Sequence, residues 1–357
     1  MSRSEFAAPV RRLTRGRMAL ALGIALAAAA AALALCPLVG ARMTGALHVL
    51  HPGDVWRGLT GTETDASRIY VIARLPRALA ALVVGAGLAA AGCAFQAVLR
   101  NPLAEPYTLG ISSGASLAAV LAIRFGIYGT VLGATGVSAA ALVGAAIAAY
   151  LVWRLGRVGG SLPPATLILA GITVAMICSA ASMLVLHTSD LYQIGRIIRW
   201  LMGGFELLRY PEVARAAVLI GAGLVALLSL ARDLNALSAG PDAAASVGVS
   251  VTRAVSIAFA ACAVIVGASI SVGGPIAAVG LIVPHVMRGL VGPDHRVLLP
   301  ASMLAGGAGL LISDTLARVV VFPHELPVGV ITAIFGGGFF LWLLVREKRS
   351  SRMWSGS

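Results

Sequence analysis

Between Arg253 and Arg288 the chain runs for 34 residues without a charged side chain. A stretch so free of charge belongs in lipid, where backbone N–H and C=O groups find no water and must pair within the segment itself. About 20 residues of helix cross the hydrocarbon core of a bilayer, so this run is too long for one ordinary crossing. Gly273-Gly274-Pro275 divides it, because proline lacks a backbone donor and glycine loosens a helix. Two helices are expected, near 254–272 and 275–290. A chain built this way folds as packed membrane helices.

Further apolar spans lie near 18–41, 78–99, 107–123, 128–153, 165–186, 213–231, 297–317 and 326–345. The chain is 59% apolar and 11% charged, whereas a soluble domain carries about a quarter charged residues. The expected fold is an all-α membrane protein of about ten transmembrane helices. It divides into a basic N-terminus (1–17), a ten-helix domain (18–346) and a short tail (347–357). The first run, Met18 to Ala41, has 24 uncharged residues. That exceeds the ~7–15 residues of a signal-peptide core, so it reads as a retained helix. The four cysteines, Cys36, Cys93, Cys178 and Cys262, all lie in or beside apolar spans and read as packing residues rather than metal ligands or disulfides.

Ten crossings leave both termini on one side. That side holds 16 of the 27 cations and 6 of the 14 acids, a net +10 against +3 on the other side. Cations collect on the cytoplasmic face, so both ends are expected there. The overall charge of +13 then needs no nucleic acid to explain it. The basic tail Arg346 to Arg352 suits anionic lipid headgroups.

One absence narrows the function. The only lysine is Lys348, in Val345-Arg346-Glu347-Lys348-Arg349, so the chain lacks the Gly-rich, Lys-Ser/Thr loop that cradles nucleotide phosphates. Gly110-Ile111-Ser112-Ser113-Gly114 fits the G-x-S-x-G pattern of a hydrolase elbow, but that serine needs a preceding strand, a base and an orienting acid. At the start of a membrane helix, small residues more simply permit close packing, and His285 and Asp314 have no spacing that links them to it. The longest polar connection, 232–253, reads as two short helices broken at Gly240-Pro241, compact enough to dock in a partner's groove. An ion-coupled transporter is the rival class. It needs intramembrane acids or broken helices, and Asp314 is the best candidate acid.

Several stretches carry a family resemblance. They are Arg74-Leu75-Pro76-Arg77 with its helix, and Asn101-Pro102-Leu103-Ala104-Glu105-Pro106 with Leu109-Gly110. The loop Leu237 to Val249 and the run Gly274-Pro275 through Pro284-His285 to Arg288 follow, then Asp294-His295-Arg296 and Glu325-Leu326-Pro327-Val328-Gly329. In this order they resemble the permease subunits of ATP-binding-cassette importers for iron-siderophores, haem and vitamin B12.

The resemblance implies a multi-pass protein of the bacterial inner membrane, working as a homodimer with the path between the two copies. Two ATPase subunits would carry ATP and Mg²⁺, leaving this chain with no cofactor and no enzymatic activity of its own. A periplasmic binding protein would deliver the substrate. Arg74, Arg77 and Arg318 correspond to positions that receive its acidic side chains. The 232–253 loop corresponds to the ATPase coupling element, with Leu237, Gly240, Asp242, Ala244 and Gly248 as its key residues. Path candidates are Met176, Ser179, Met183 and His187 on the fifth span, Thr332 and Phe335 on the tenth, and Arg196 and Arg199 on the outer segment. The basic outer segment favours haem or a ferric siderophore as the transported substrate, with cobalamin the alternative.

Overall fold

A computed structural model describes residues 15–41, 47–61, 65–127, 129–131, 134–205, 208–321 and 324–354. The helices in chain order are α1 (Arg15–Leu35), α2 (Pro52–Leu59), α3 (Asp65–Arg68), α4 (Leu75–Val98), α5 (Ile111–Arg124), α6 (Gly136–Gly156), α7 (Pro164–His187) and α8 (Leu191–Leu201). They continue as α9 (Tyr210–Ser229), α10 (Ala231–Ala239), α11 (Pro241–Ser246), α12 (Val251–Gly273), α13 (Val279–Val291), α14 (His295–Val319) and α15 (Val328–Trp354). Two small antiparallel hairpins complete the described residues: β1 (Val39–Ala41) with β2 (Leu47–Val49), and β3 (Thr130–Val131) with β4 (Ala134–Thr135).

Each of the ten expected spans holds a helix, but 36–41 at the end of the first form a 3-10 turn and strand β1, and the fourth starts only at Gly136, after the β3–β4 hairpin. Eight helices are long and apolar enough to cross a membrane, and α5 and α13 are shorter apolar helices. Both short ones start late for a backbone reason. Before α5 the chain makes a 3-10 turn, Pro106–Leu109, and Gly110 takes a left-handed φ of 74°. Before α13 the segment 274–278 is not helical, and Ala278 sits at φ 70°. The two breaks meet, since Gly280 packs on the Pro106 ring. Irregular backbone at membrane depth is tolerated when protein covers it, and here Phe205 and the Trp200 carbonyl lie over Gly273 and Gly274.

Helix α4 forms the centre. Of its most apolar window 78% is buried, against 17% in α7, so α7 lies at the periphery. Helix α4 packs along α14, α12, α13 and α9. Backbone-to-backbone approach makes this possible. A Cβ on Gly92 would overlap the Gly280 carbonyl of α13, and one on Gly85 would overlap the Gly306 carbonyl of α14. Without hydrophobic attraction between helices in lipid, such small-residue contacts are what hold a bundle together. The α4–α13 contact is completed by a side chain. Pro284 donates no hydrogen bond, which leaves the Gly280 carbonyl without its helical partner. The Gln96 amide reaches that carbonyl at 3.4 Å, and Arg288 fixes the amide by donating to its Oε1 at 2.8 Å.

Candidate functional site

Helix α14 carries a polar cluster at each end. Its C-terminal end meets the start of α4. A π-turn, Ile69–Arg74, leads into α4 and widens the helix just before Pro76, whose ring would otherwise crowd the preceding turn. Arg77 then faces Asp314 and donates from Nε to both carboxylate oxygens, at 3.0 and 3.1 Å. Its Nη2 lies 2.9 Å from Asp314 Oδ1, and its Nη1 pairs with Glu325 at 2.7 Å. Asp314 is fully buried, while the Glu325 side chain is 59% exposed. Arg318 approaches Asp314 from the other side, at 3.4 Å.

The remaining contacts of this cluster finish another helix. The last carbonyls of a helix lack internal partners and attract cations. Arg74 donates to the carbonyls of Pro37 and Leu38, at 3.3 and 2.8 Å. Arg318 donates to those of Val39 and Cys36, at 3.2 and 3.5 Å. Those four residues follow directly on α1. Gly40 leaves room beside them, since a Cβ there would displace the Arg74 guanidinium. Thus Arg74, Arg77 and Arg318 are brought together, and all three are engaged within the chain.

The N-terminal end of α14 meets the loop between α9 and α12. That loop is the expected helix pair, α10 and α11, with the break at Gly240, whose φ is 124°. The five expected coupling residues divide by burial. Leu237, Gly240 and Ala244 face inward and seat the pair, whereas Asp242 and Gly248 are exposed. The exposed surface is made of small residues, with Val247 its large apolar member at 70% exposure. At the base, Asp294 caps α14 by accepting from the Arg296 N–H at 3.0 Å. Hydrogen bonding from the Arg296 side chain holds the Asp294 carboxyl well below the usual range.

The expected path residues are scattered. Met176, Ser179, Met183 and His187 lie on exposed faces of α7, as does Phe335 on α15. Thr332 differs: it is buried, and its hydroxyl donates to the Gly329 carbonyl at 3.1 Å, so it closes a turn of its own helix instead of facing outward. Arg199 is exposed on α8, and Arg196 lies over the Tyr192 ring, 5.9 Å from its centroid. Helix α8 is seated by a capping box between Asp190 and Gln193 and by buried Ile197. Sequence reading missed α8 as a helix, although Asp190 with Gln193 three residues later is a capping-box signal. Ser112 is buried within α5, and the neighbouring Gly114 packs so closely on Ala148 that a Cβ would overlap it. The G-x-S-x-G stretch is a packing surface.

The sequence matches the FecCD transport family over residues 32–346. It is 40% identical to the cobalamin import system permease protein BtuC of Halobacterium salinarum, covering 87% of this chain and 86% of that protein. It is 38% identical to the hemin transport system permease protein HmuU of Yersinia pestis, covering 87% and 92%. Among solved structures, it resembles an ABC transporter described as of metal-chelate type, in an inward-facing conformation. That likeness has a TM-score of 0.76 at 30% identity and covers 92% of this chain and 97% of the other. By fold, by family and by relatives the chain is a multi-pass membrane protein and a permease subunit of an ABC importer, with ATP hydrolysed on separate subunits. It belongs to the FecCD transport family.

Proposed function

We propose that the chain moves a metal chelate, haem or a ferric siderophore, inward across the bacterial inner membrane as half of a homodimer. The observation that carries the importer mechanism is the α10–α11 pair, a compact surface of small exposed residues seated at the N-terminal end of α14. Two ATPase subunits bind that pair, on the cytoplasmic side, where the sequence gathers a net +10 of its charge. The exposed apolar faces of α7 and α15, with Met176, Met183 and Phe335, meet the second copy and line the path. At the opposite end a periplasmic binding protein docks on the rim around Arg77. Its acidic side chain takes the position of exposed Glu325, the one solvent-facing partner in the cluster among the described residues. Arg74 and Arg318 hold the end of α1 beneath that rim.

A relative named for hemin and a solved neighbour described as of metal-chelate type support an iron chelate as cargo. The relative named for cobalamin supports the second reading, a corrinoid. Reconstitution of the chain with its ATPase and binding protein in liposomes separates them. ATP-dependent uptake of haemin or of a ferric hydroxamate, with cyanocobalamin left outside, is the expected result. Uptake of cyanocobalamin alone establishes the second reading. Uptake that follows an ion gradient without ATP overturns the importer mechanism.

A further inference from the structure

Among the described residues, Asn235 is the α10 side chain that reaches a membrane-spanning helix by hydrogen bonds, and it uses both ends of its amide. Its Oδ1 accepts from the His295 backbone N–H at 2.8 Å and lies 2.8 Å from His295 Nδ1. Its Nδ2 donates to Asp294 Oδ1, also at 2.8 Å. The two residues it grips are the N-cap and first residue of α14. Leu234 and Leu237, both buried, anchor α10 beside the amide. The cap is held from a second direction by Arg296, which pairs with Asp294 at 2.6 Å.

We infer that Asn235 is a positioning residue for transport: the joint through which movement of the ATPase-docking pair is delivered to α14. This rests on the reading that α10–α11 is the ATPase dock. The chemistry favours an amide here. One group must accept from a backbone N–H and donate to a carboxylate at once, which neither an aspartate nor a lysine can do at neutral pH. The mechanics favour this site because α14 is continuous from the joint to the arginine cluster. At about 1.5 Å per residue, its 25 residues span roughly 37 Å. A displacement applied at Asp294 therefore arrives at Asp314 and, through Arg77, at the rim. Hydrogen-bond networks that link rigid elements are the physical means by which two distant sites bias one another.

The test uses the whole importer, permease with its ATPase and binding protein, in liposomes. Haemin and cyanocobalamin uptake are measured side by side with ATP hydrolysis. Asn235→Ala is expected to keep the ATPase bound on copurification while the ATP consumed per molecule taken up rises about tenfold, within the usual range of coupling between sites. Asp294→Ser keeps a helix cap but loses the carboxylate that accepts from Asn235 Nδ2, and is expected to uncouple in part. The double variant is expected to be no worse than Asn235→Ala alone, because that variant already removes every bond of the joint. If the alanine variant does not reach the membrane, Asn235→Ser is compared with Asp294→Ser in the same way. An unchanged ratio of uptake to hydrolysis in the Asn235 variant overturns the inference, and so do independent, additive losses. A separate variant, Ala245→Glu on the exposed face of α11, is expected to release the ATPase. Retention of the ATPase there removes the docking reading itself, whatever the Asn235 variants do.

Discussion

Arg77 and Asp314 stand 237 positions apart in the chain and meet through two guanidinium nitrogens, Nε and Nη2, with the carboxylate wholly shielded from solvent. Removing one partner of a buried ion pair strands the other, which typically costs about 3–5 kcal/mol. Here Asp314→Ala takes the buried carboxylate from two cations, leaving Arg77 only Glu325 and Arg318 only its carbonyl and hydroxyl contacts. A marked fall in the thermal midpoint of the purified permease is expected. Glu325→Gln, at an exposed position, is expected to shift the same midpoint by less than about 1 kcal/mol equivalent.

The same pair of positions separates stability from docking. If a partner carboxylate replaces Glu325 on Arg77, then Glu325→Ala removes a competitor. Tighter capture of the binding protein is expected from Glu325→Ala, and weaker capture from Arg77→Gln, in a surface-binding assay at low salt. Equal affinity in all three proteins excludes Arg77 as the docking residue.

Helix contact at Gly92 gives a packing prediction. Gly92→Ala drives a methyl into the Gly280 carbonyl, and overpacking of this kind costs about 1–3 kcal/mol. Gly221→Ala, with nothing within 4 Å of the new carbon, is expected to be neutral or slightly stabilising. Thermal unfolding in a single detergent distinguishes the two.

Ser112 offers a check on chemistry. Its hydroxyl is buried and finds no protein partner among the described residues, so Ser112→Ala removes an unsatisfied group and is expected to be close to neutral for stability. Uptake is expected to persist. Loss of uptake with an intact fold would give that serine a role beyond packing.

Asp294 predicts the pH behaviour of the α14 cap. Its carboxyl is held below the ordinary value, so its contribution is complete above that value and fades as pH falls through the lower, folded one. The difference in unfolding midpoint between the natural protein and Asp294→Asn is therefore expected to stay level from about pH 8 to about 5. It narrows in stronger acid. Its size is modest, since the Asp294 side chain is 34% exposed and its partner Arg296 lies in solvent.

Much of this architecture can be read from the chain alone. Uncharged runs mark all ten helices because lipid forbids unpaired backbone and unpaired charge alike. The α10–α11 pair was legible too, since Gly240-Pro241 can only break a helix there. What escaped depends on contacts between distant segments. The expected span 107–123 begins at Ile111, because a left-handed glycine and a 3-10 turn use up its first residues. The expected span 275–290 begins at Val279 for the same sort of reason. Three arginines at helix ends read as outward-facing, yet two of them bond the carbonyls that follow α1. Those carbonyls carry no signal in the sequence. Thr332 shows the limit in miniature, since a threonine facing a path and one closing its own helix turn look alike until the backbone is placed.

The contact of Gly85 with Gly306 has a mechanical meaning. Where two backbones touch without side chains between them, neither helix can slide or roll without a carbonyl striking a Cα, so α4 and α14 turn as one block. A displacement that reaches α14 therefore carries α4 with it.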